Sequence, residues 1–253
     1  MVLERGPGHH TVQLYCDDAE LADAVARYLG SGLDVGDPCL VVATPEHRAR
    51  IAEALAAEGR DDTGLLTLAD AEQTLAAFME DDGPSAARFG QVVGGLLDSI
   101  AARYPERHIR VFGEMVDLLC RRGHVEAAIA LEQLWNDLQR TRTFSLLCAY
   151  ELDVFDRAAQ TGPLPDVCRV HTRVHAAADP ARLTRAVDRA LEEVLGADQA
   201  GKVYLMVGEE ARRGRIPIAE LALMWVTANM PALADGVLAA ARSRYGRPLP
   251  ATA

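Results

Sequence analysis

Short apolar runs alternate with amphipathic segments along the chain up to Phe155. In the amphipathic segments, apolar side chains recur every three or four residues, which predicts helices such as one over 85–103. Uninterrupted apolar runs that alternate with helices are typical of parallel strands buried on both faces. The pattern therefore predicts an α/β fold, a mainly parallel sheet covered by helices on both faces, with strands near 10–15, 39–44, 65–68, 108–115 and 144–150.

The pattern changes after Phe155, where a connector containing glycine and prolines (162–165) leads into a mostly helical remainder. We therefore expect an α/β domain over 8–175 and a C-terminal helical extension over 176–253. A dense apolar set around Trp225 either docks this extension on the sheet domain or forms a surface for a partner. Helices of the extension are predicted near 179–196, 202–213 and 217–243.

The composition is that of a globular protein, since 49% of the 253 residues are hydrophobic and 25% are charged. The net charge of −11, without a basic block, argues against direct nucleic-acid binding. No stretch reaches about 18 uninterrupted apolar residues, and no secretory leader is visible, so we expect no membrane association. Five cysteines, an odd and widely spaced set, are typical of reduced thiols and predict a cytoplasmic protein.

The turn after the first predicted strand lacks a conventional phosphate-binding (Walker A) loop. A nucleotide-binding domain would have a glycine-rich loop with a lysine at this position. This chain has three carboxylates there, on Asp17, Asp18 and Glu20. Negative charge at a helix N-terminus occupies the field that a phosphate would need. We expect Asp17 or Asp18 to cap the helix, and we expect neither a nucleotide nor another cofactor.

Glu114 is a candidate for ligand contact. It follows the strand that ends at Gly113, and the carboxyl ends of parallel strands face the ligand crevice of an open α/β sheet. Glu114 either lines such a pocket or accepts a hydrogen bond from a neighbouring loop. No base, nucleophile or metal set accompanies it, so no catalytic residue is predicted.

The start of the first strand carries two histidines. His9 and His10 are adjacent, so their side chains point to opposite faces of a strand and at most one faces any site. A surface or strand-edge position is favoured over a sensing role. Tyr15 marks the other end of the same strand.

One predicted helix carries a polar and aromatic group on roughly one side, because Glu132 lies three residues before Trp135 and four before Asn136. Trp135 is expected in the core. Glu132 and Asn136 either brace the strands or line a site.

Cys168, His171 and His175 have the spacing that would place a thiol and two imidazoles on one face of a helix, as zinc binding requires. Pro165 and Val174 disfavour a helix there, and no second cluster accompanies the group. Incidental histidines in a linker explain the pattern better, so no metal site is predicted.

Several strings occur in the colinear order of one family: DDAELADAVARYLGSGLDVGDPCLVVATPEHR after the two histidines, then FGEMVDLL, ALEQLWNDL and FSLLCAY. Over about residues 8–175 the sequence resembles the MEDS domain, the methanogen/methylotroph, DcmR sensory domain. That family is similar to RecA/KaiC-like α/β domains. The resemblance therefore implies such a fold and a role in signal reception, and it assigns no reaction.

The resemblance implies a sensory protein whose degenerate RecA-like domain binds a small organic ligand, apolar ligands included. The expected site is the crevice above the first and fourth predicted strands, and the resemblance favours a polar network of Glu114 with Glu132 and Asn136. Signalling is expected to pass through contacts with a regulatory protein, such as a kinase, an anti-sigma factor or a transcription regulator, or with a second copy of the chain. The residues expected to line the site are Glu114, Tyr15, His10, Asn136 and Glu132.

Two alternatives remain. In the first, the chain is a ligand-independent interaction protein of a partner-switching or sigma-factor circuit, because no output domain is recognisable. In the second, it is a residual nucleotide-dependent enzyme, an idea that rests on fold similarity alone. Since the loop glycines and lysine are missing, we expect no enzyme.

Overall fold

The chain forms two compact units, the first ending at Glu151 and the second beginning at Leu152. The predicted start of the sensory domain, residue 8, and the end of the chain lie outside the described residues. The domain boundary expected after residue 175 stays a prediction. The computed structural model describes residues 9–60, 64–81, 83–176 and 178–246.

The first unit is built from strands and helices that alternate along the chain. Its strands are β1 (His10–Tyr15), β2 (Cys39–Ala43), β3 (Leu66–Asp70), β4 (Met79–Glu80), β5 (Gly83–Pro84), β6 (Ile109–Gly113) and β7 (Phe144–Glu151). Its helices are α1 (Asp18–Leu33), α2 (Pro45–Ala57), α3 (Ala71–Phe78), α4 (Ala86–Arg103), α5 (Met115–Arg121) and α6 (Val125–Gln139).

Five of these strands form a parallel sheet in the order β3-β2-β6-β7-β1. The short strands β4 and β5 pair separately and antiparallel. Parallel neighbours need a crossover, and a helix follows each of β1, β2 and β6 to supply it. The predicted α/β fold with a parallel sheet is confirmed.

Both faces of the sheet are covered, as the uninterrupted apolar runs predict. All six residues of β1 are buried, and side chains alternate between faces, so His10 and Tyr15 point in opposite directions. The face with Tyr15 packs against α1 and α2. The other face carries edge-to-face aromatic contacts that link Phe78, Phe89, Trp135 and Phe144. The core position expected for Trp135 is confirmed, since it is 1% exposed.

Side-chain caps fix where α1 and α2 begin. Asp17 accepts hydrogen bonds from the backbone N–H groups of Ala19 (2.8 Å) and Glu20 (3.1 Å), which confirms the predicted cap of α1. Thr44 accepts from the N–H of His47 and caps α2. Both helices therefore start at the carboxyl edge of the sheet, directly after β1 and β2.

The second unit is mostly helical, which confirms the predicted C-terminal helical region. The prediction of a single helix over 217–243 is wrong, because the helix is interrupted at Met230. Pro231 has no N–H to donate to the preceding turn and fits the first position of a new helix. The elements are α7 (Arg157–Thr161), α8 (Leu164–Val170), β8 (Arg173–His175), α9 (Pro180–Leu195), α10 (Ala197–Arg212), α11 (Ile218–Asn229) and α12 (Pro231–Tyr245).

The apolar set around Trp225 belongs to α11, where Leu223 and Val226 are buried within the second unit. α9 packs against α12. On α10, by contrast, Leu205 and Met206 are 81% and 63% exposed. Among the helices that the structure describes, none combines the length and apolar character needed to cross a membrane.

Candidate functional site

A crevice of about 870 Å³ opens at the carboxyl edge of the sheet in the first unit. This is the edge at which open α/β sheets bind ligands. Charged side chains of both signs dominate its walls, and apolar contributions come from Pro45 and Leu118. The other lining residues are Asp18, Thr44, Glu46, His47, Glu72, Arg121, Arg122 and Glu151.

Glu114 lies at this edge with 1% of its surface exposed. One carboxylate oxygen accepts the backbone N–H of Thr44, and the other lies 2.5 Å from Nδ1 of His47. The N–H of Glu114 donates to the carbonyl of Val42 at 3.1 Å. Glu114 therefore joins the end of β6 to the loop after β2, which is the loop-bracing role that the sequence left open.

His47 connects this buried carboxylate to the crevice. The hydrogen bond that His47 donates to Glu114 raises the pKa of His47 to about 9. Burial opposes the rise, while the charge of Glu114 and the contact with Asp18 add to it. Nε2 of His47 lies 3.4 Å from a carboxylate oxygen of Asp18. The imidazole is therefore protonated at neutral pH and lies between a buried and a crevice-lining carboxylate.

Tyr15 lies beside this pair and contacts a second buried carboxylate. Its ring packs edge-on against His47, with 6.2 Å between centroids, and its hydroxyl donates to Asp117 at 2.8 Å. The other oxygen of Asp117 accepts the N–H of Glu151 at 2.8 Å. Burial raises the pKa of Asp117 to about 6, although both hydrogen bonds oppose the rise. Burial and Asp117 also raise the pKa of Tyr15, so its hydroxyl remains a donor.

Two arginines at the start of the α5–α6 connection carry positive charge into the crevice. Nε of Arg121 lies 3.3 Å from the carboxylate of Glu151, and Arg122 pairs with Glu72. All four side chains are about half exposed. Ion pairs at this exposure contribute about 0–1 kcal/mol, so a ligand anion can replace either carboxylate at little cost.

A second polar group lies on the other face of the sheet. We call it the β1–α6 cluster; its members are His10, Glu132, Asn136, Cys148 and Tyr150. Nδ1 of His10 lies 2.9 Å from Oδ1 of Asn136, and Nε2 lies 3.0 Å from the Glu132 carboxylate and 3.3 Å from Sγ of Cys148. The hydroxyl of Tyr150 donates to Glu132 at 2.9 Å. Burial and the Glu132 charge raise the pKa of Cys148 and Tyr150.

The five residues expected to line one site thus fall into two groups. The structure brings His10, Glu132 and Asn136 together, and it places Tyr15 and Glu114 around His47 on the other side of the sheet. The expected network of Glu114 with Glu132 and Asn136 is replaced by the contacts of Glu114 with Thr44 and His47. Ligand binding by either group stays a prediction.

The surface position favoured for the histidine pair is wrong for His10, which is 0% exposed. The reason is its place as the first residue of β1, opposite the buried β7. Cys148, which lies within the buried strand β7, contacts His10 and Glu132.

Sequence reasoning missed His47 and Asp117. Each follows a strand at the carboxyl edge of the sheet, as Glu114 does, and that position was the signal that could have identified them. His47 lies in the string ATPEHR, and Asp117 lies in the string FGEMVD.

The helix required by the Cys168, His171 and His175 spacing does not form. α8 ends at Val170, so only Cys168 is helical, and His175 lies at the end of β8. The thiol and the two imidazoles therefore do not share one face of a helix.

The parallel sheet, the helices on both of its faces and the polar crevice at the strand ends define the class of open α/β domains. A family model for MEDS, the methanogen/methylotroph, DcmR sensory domain, matches residues 9–172. The chain belongs to this family of sensory domains, as the sequence strings indicated. Neither curated proteins nor solved structures gave a match to the chain.

Proposed function

We propose that the chain is a cytoplasmic sensory protein that binds a small polar organic molecule in the crevice at the strand ends and signals through protein contacts. The observation that carries the proposal is the position of His47, whose two ring nitrogens lie 2.5 Å from buried Glu114 and 3.4 Å from crevice-lining Asp18. A charged group in such a place responds to any ligand that changes the position or charge of Asp18.

The lining favours a ligand with both hydrogen-bond donors and acceptors. Carboxylates of Asp18 and Glu46 accept hydrogen bonds, and the guanidinium groups of Arg121 and Arg122 donate them. Pro45 and Leu118 offer a smaller apolar surface. A polar or zwitterionic molecule therefore fits this crevice better than the apolar ligand that the family resemblance allows.

The binding role is proposed in place of an enzymatic one. The N-terminus of α1, where a phosphate would bind in a nucleotide-dependent enzyme, is capped by Asp17. A carboxylate there repels a phosphate and satisfies the N–H groups that would hold it.

A thermal-shift screen of small organic molecules on the purified chain tests the proposal. The set should contain amines, carboxylic acids, amino acids and alcohols, with halogenated one-carbon compounds as the apolar arm. A ligand that binds the folded state raises the melting temperature by mass action. Hits confined to the apolar arm would contradict a polar ligand.

Variants then locate the bound molecule. Arg121→Gln, a change at a half-exposed side chain, should weaken binding of a crevice ligand at least severalfold by calorimetry. Arg140→Gln is the matched control, because Arg140 is 78% exposed and lies at the end of α6. Equal loss of affinity in both variants, or in neither, would reject the crevice as the site.

Output is proposed to pass through a regulatory protein or a second copy of the chain. In the second unit, Leu205 and Met206 present adjacent apolar side chains to solvent on α10. Replacing both with serine should weaken such contacts, measured as self-association by analytical ultracentrifugation or as capture of a candidate regulator. Unchanged association would place the contact surface elsewhere.

A second candidate function, a ligand-independent partner-switching protein, is favoured by one observation. Both oxygens of Glu114 already have partners within the protein, on Thr44 and His47. Such a protein would bind its kinase or anti-sigma partner with unchanged affinity when every screened molecule is present. A ligand-dependent change in partner affinity would favour the sensory proposal.

A further inference from the structure

Three side chains of the β1–α6 cluster direct metal-binding atoms toward one another. Nε2 of His10, a carboxylate oxygen of Glu132 and Sγ of Cys148 form a triangle with sides of 3.0, 3.3 and 3.4 Å. Bonds of about 2.0–2.3 Å at tetrahedral angles hold the nitrogen, oxygen and sulfur ligands of zinc about 3.3–3.6 Å apart. The triangle therefore matches one face of a zinc tetrahedron after shifts of a few tenths of an ångström.

We infer that His10, Glu132 and Cys148 bind a divalent transition-metal ion of the zinc class, in addition to the proposed crevice ligand. Imidazole, carboxylate and thiolate are the ligand types that zinc accepts, and the thiolate disfavours magnesium and calcium.

The neighbours of the triad hold its ligand atoms in place. Asn136 accepts a hydrogen bond from Nδ1 of His10 at 2.9 Å, so the proton of a neutral imidazole lies on Nδ1 and Nε2 is the nitrogen that would bind a metal. Tyr150 donates to Oε1 of Glu132, whereas Oε2 faces His10 and Cys148. Outer hydrogen bonds that fix the ring and the carboxylate are typical of protein metal sites.

Burial and charge also fit a divalent ion. His10, Glu132 and Cys148 are each 0% exposed. A divalent cation bound by one thiolate and one carboxylate forms a neutral centre, which is the state that a buried site favours. The ion would join β1, β7 and α6 on the face of the sheet that points away from the crevice, so the inference does not depend on the proposed function.

Cobalt(II) titration of the full chain, stripped of metal with a chelator, tests this inference. Cobalt(II) occupies zinc sites and gives a thiolate-to-metal charge-transfer band together with visible bands of tetrahedral coordination. We expect one equivalent to bind, zinc to displace it, and zinc to raise the melting temperature of the stripped protein. Absence of the charge-transfer band in the wild-type chain overturns the inference.

Matched variants identify the ligands. Cys148→Ser should abolish the charge-transfer band, whereas Cys39→Ser, a change at another buried cysteine in β2, should keep it. Asn136→Ala should keep the band and weaken cobalt affinity about 10- to 100-fold. If Cys148→Ser does not fold, His10→Gln serves in its place and should lower affinity at least tenfold. A band that survives Cys148→Ser, or an affinity unchanged by His10→Gln, assigns the metal to other residues and refutes the site.

Discussion

Replacing His47 with glutamine should destabilise the protein in a manner that depends on pH. A rise in pKa from 6.5 to about 9 corresponds to about 3 kcal/mol of preference for the charged imidazole in the folded state. Water in the adjacent crevice screens the pair, so we expect His47→Gln to cost about 1–2 kcal/mol at pH 6.

The sign of the pH dependence follows from the direction of the shift. Because the folded-state pKa of His47 is raised, its stabilisation is fully present below pH 6.5 and is lost as the pH rises through about 9. The difference in unfolding free energy between the wild type and His47→Gln should therefore shrink between pH 6 and pH 10.

Urea unfolding at several pH values measures this difference, and NMR titration of the imidazole gives the pKa directly. His124→Gln is the control, since His124 is exposed and its replacement should change the unfolding free energy only slightly. An imidazole of His47 that titrates at or below 6.5, or a free-energy difference that is constant with pH, would refute the charged pair.

Three further predictions concern stability. Burial raises the pKa of Glu220 to about 7, so the folded state loses stability as the pH rises from 4.5 through about 7 and the carboxyl ionises. Glu220→Gln should remove this loss and raise the unfolding free energy by up to about 3 kcal/mol at pH 8, measured by urea unfolding. Trp135→Ala should cost about 3–5 kcal/mol in the same assay, and an effect below 1 kcal/mol would contradict its central packing. Asp17→Ala should cost about 1 kcal/mol through loss of the α1 cap, whereas Asp23→Ala, at an exposed position inside α1, should not.

Periodicity alone located much of the fold. The helix predicted over 85–103 is α4 (Ala86–Arg103), and the strand predicted over 39–44 is β2 (Cys39–Ala43). Both patterns arise because an element buries its apolar side chains against a neighbouring layer, and the spacing of those side chains is visible in a short stretch of sequence. The break at Met230 was also signalled locally, by Pro231, but the apolar residues on both sides of it outweighed that signal.

The site was less predictable because its contacts join distant segments. Glu114 was identified from its place after β6, yet its partner His47 is 67 positions earlier in the chain, and no periodic pattern relates the two. The grouping of His10 with Tyr15 failed for a simpler reason. Residues five apart on a strand face opposite sides, so the sequence contained enough information to separate them.

Because side chains alternate between faces along β1, whether a residue number is odd or even decides its face of the sheet. This places His10 in the β1–α6 cluster and Tyr15 beside His47. His10 shares a face with even-numbered positions of β7, and Tyr15 shares a face with odd-numbered ones, in a fixed parallel register of His10 with Leu146. One residue inserted within β1 would preserve its composition and hydrophobicity. It would nevertheless invert the phase of the strand on one side of the insertion, turning either the histidine toward α1 or the tyrosine toward α6. The four-residue spacing between His10 and Tyr15 therefore fixes the face on which each side chain lies. A change in the length of this spacing should disrupt the two polar groups more than a substitution within it.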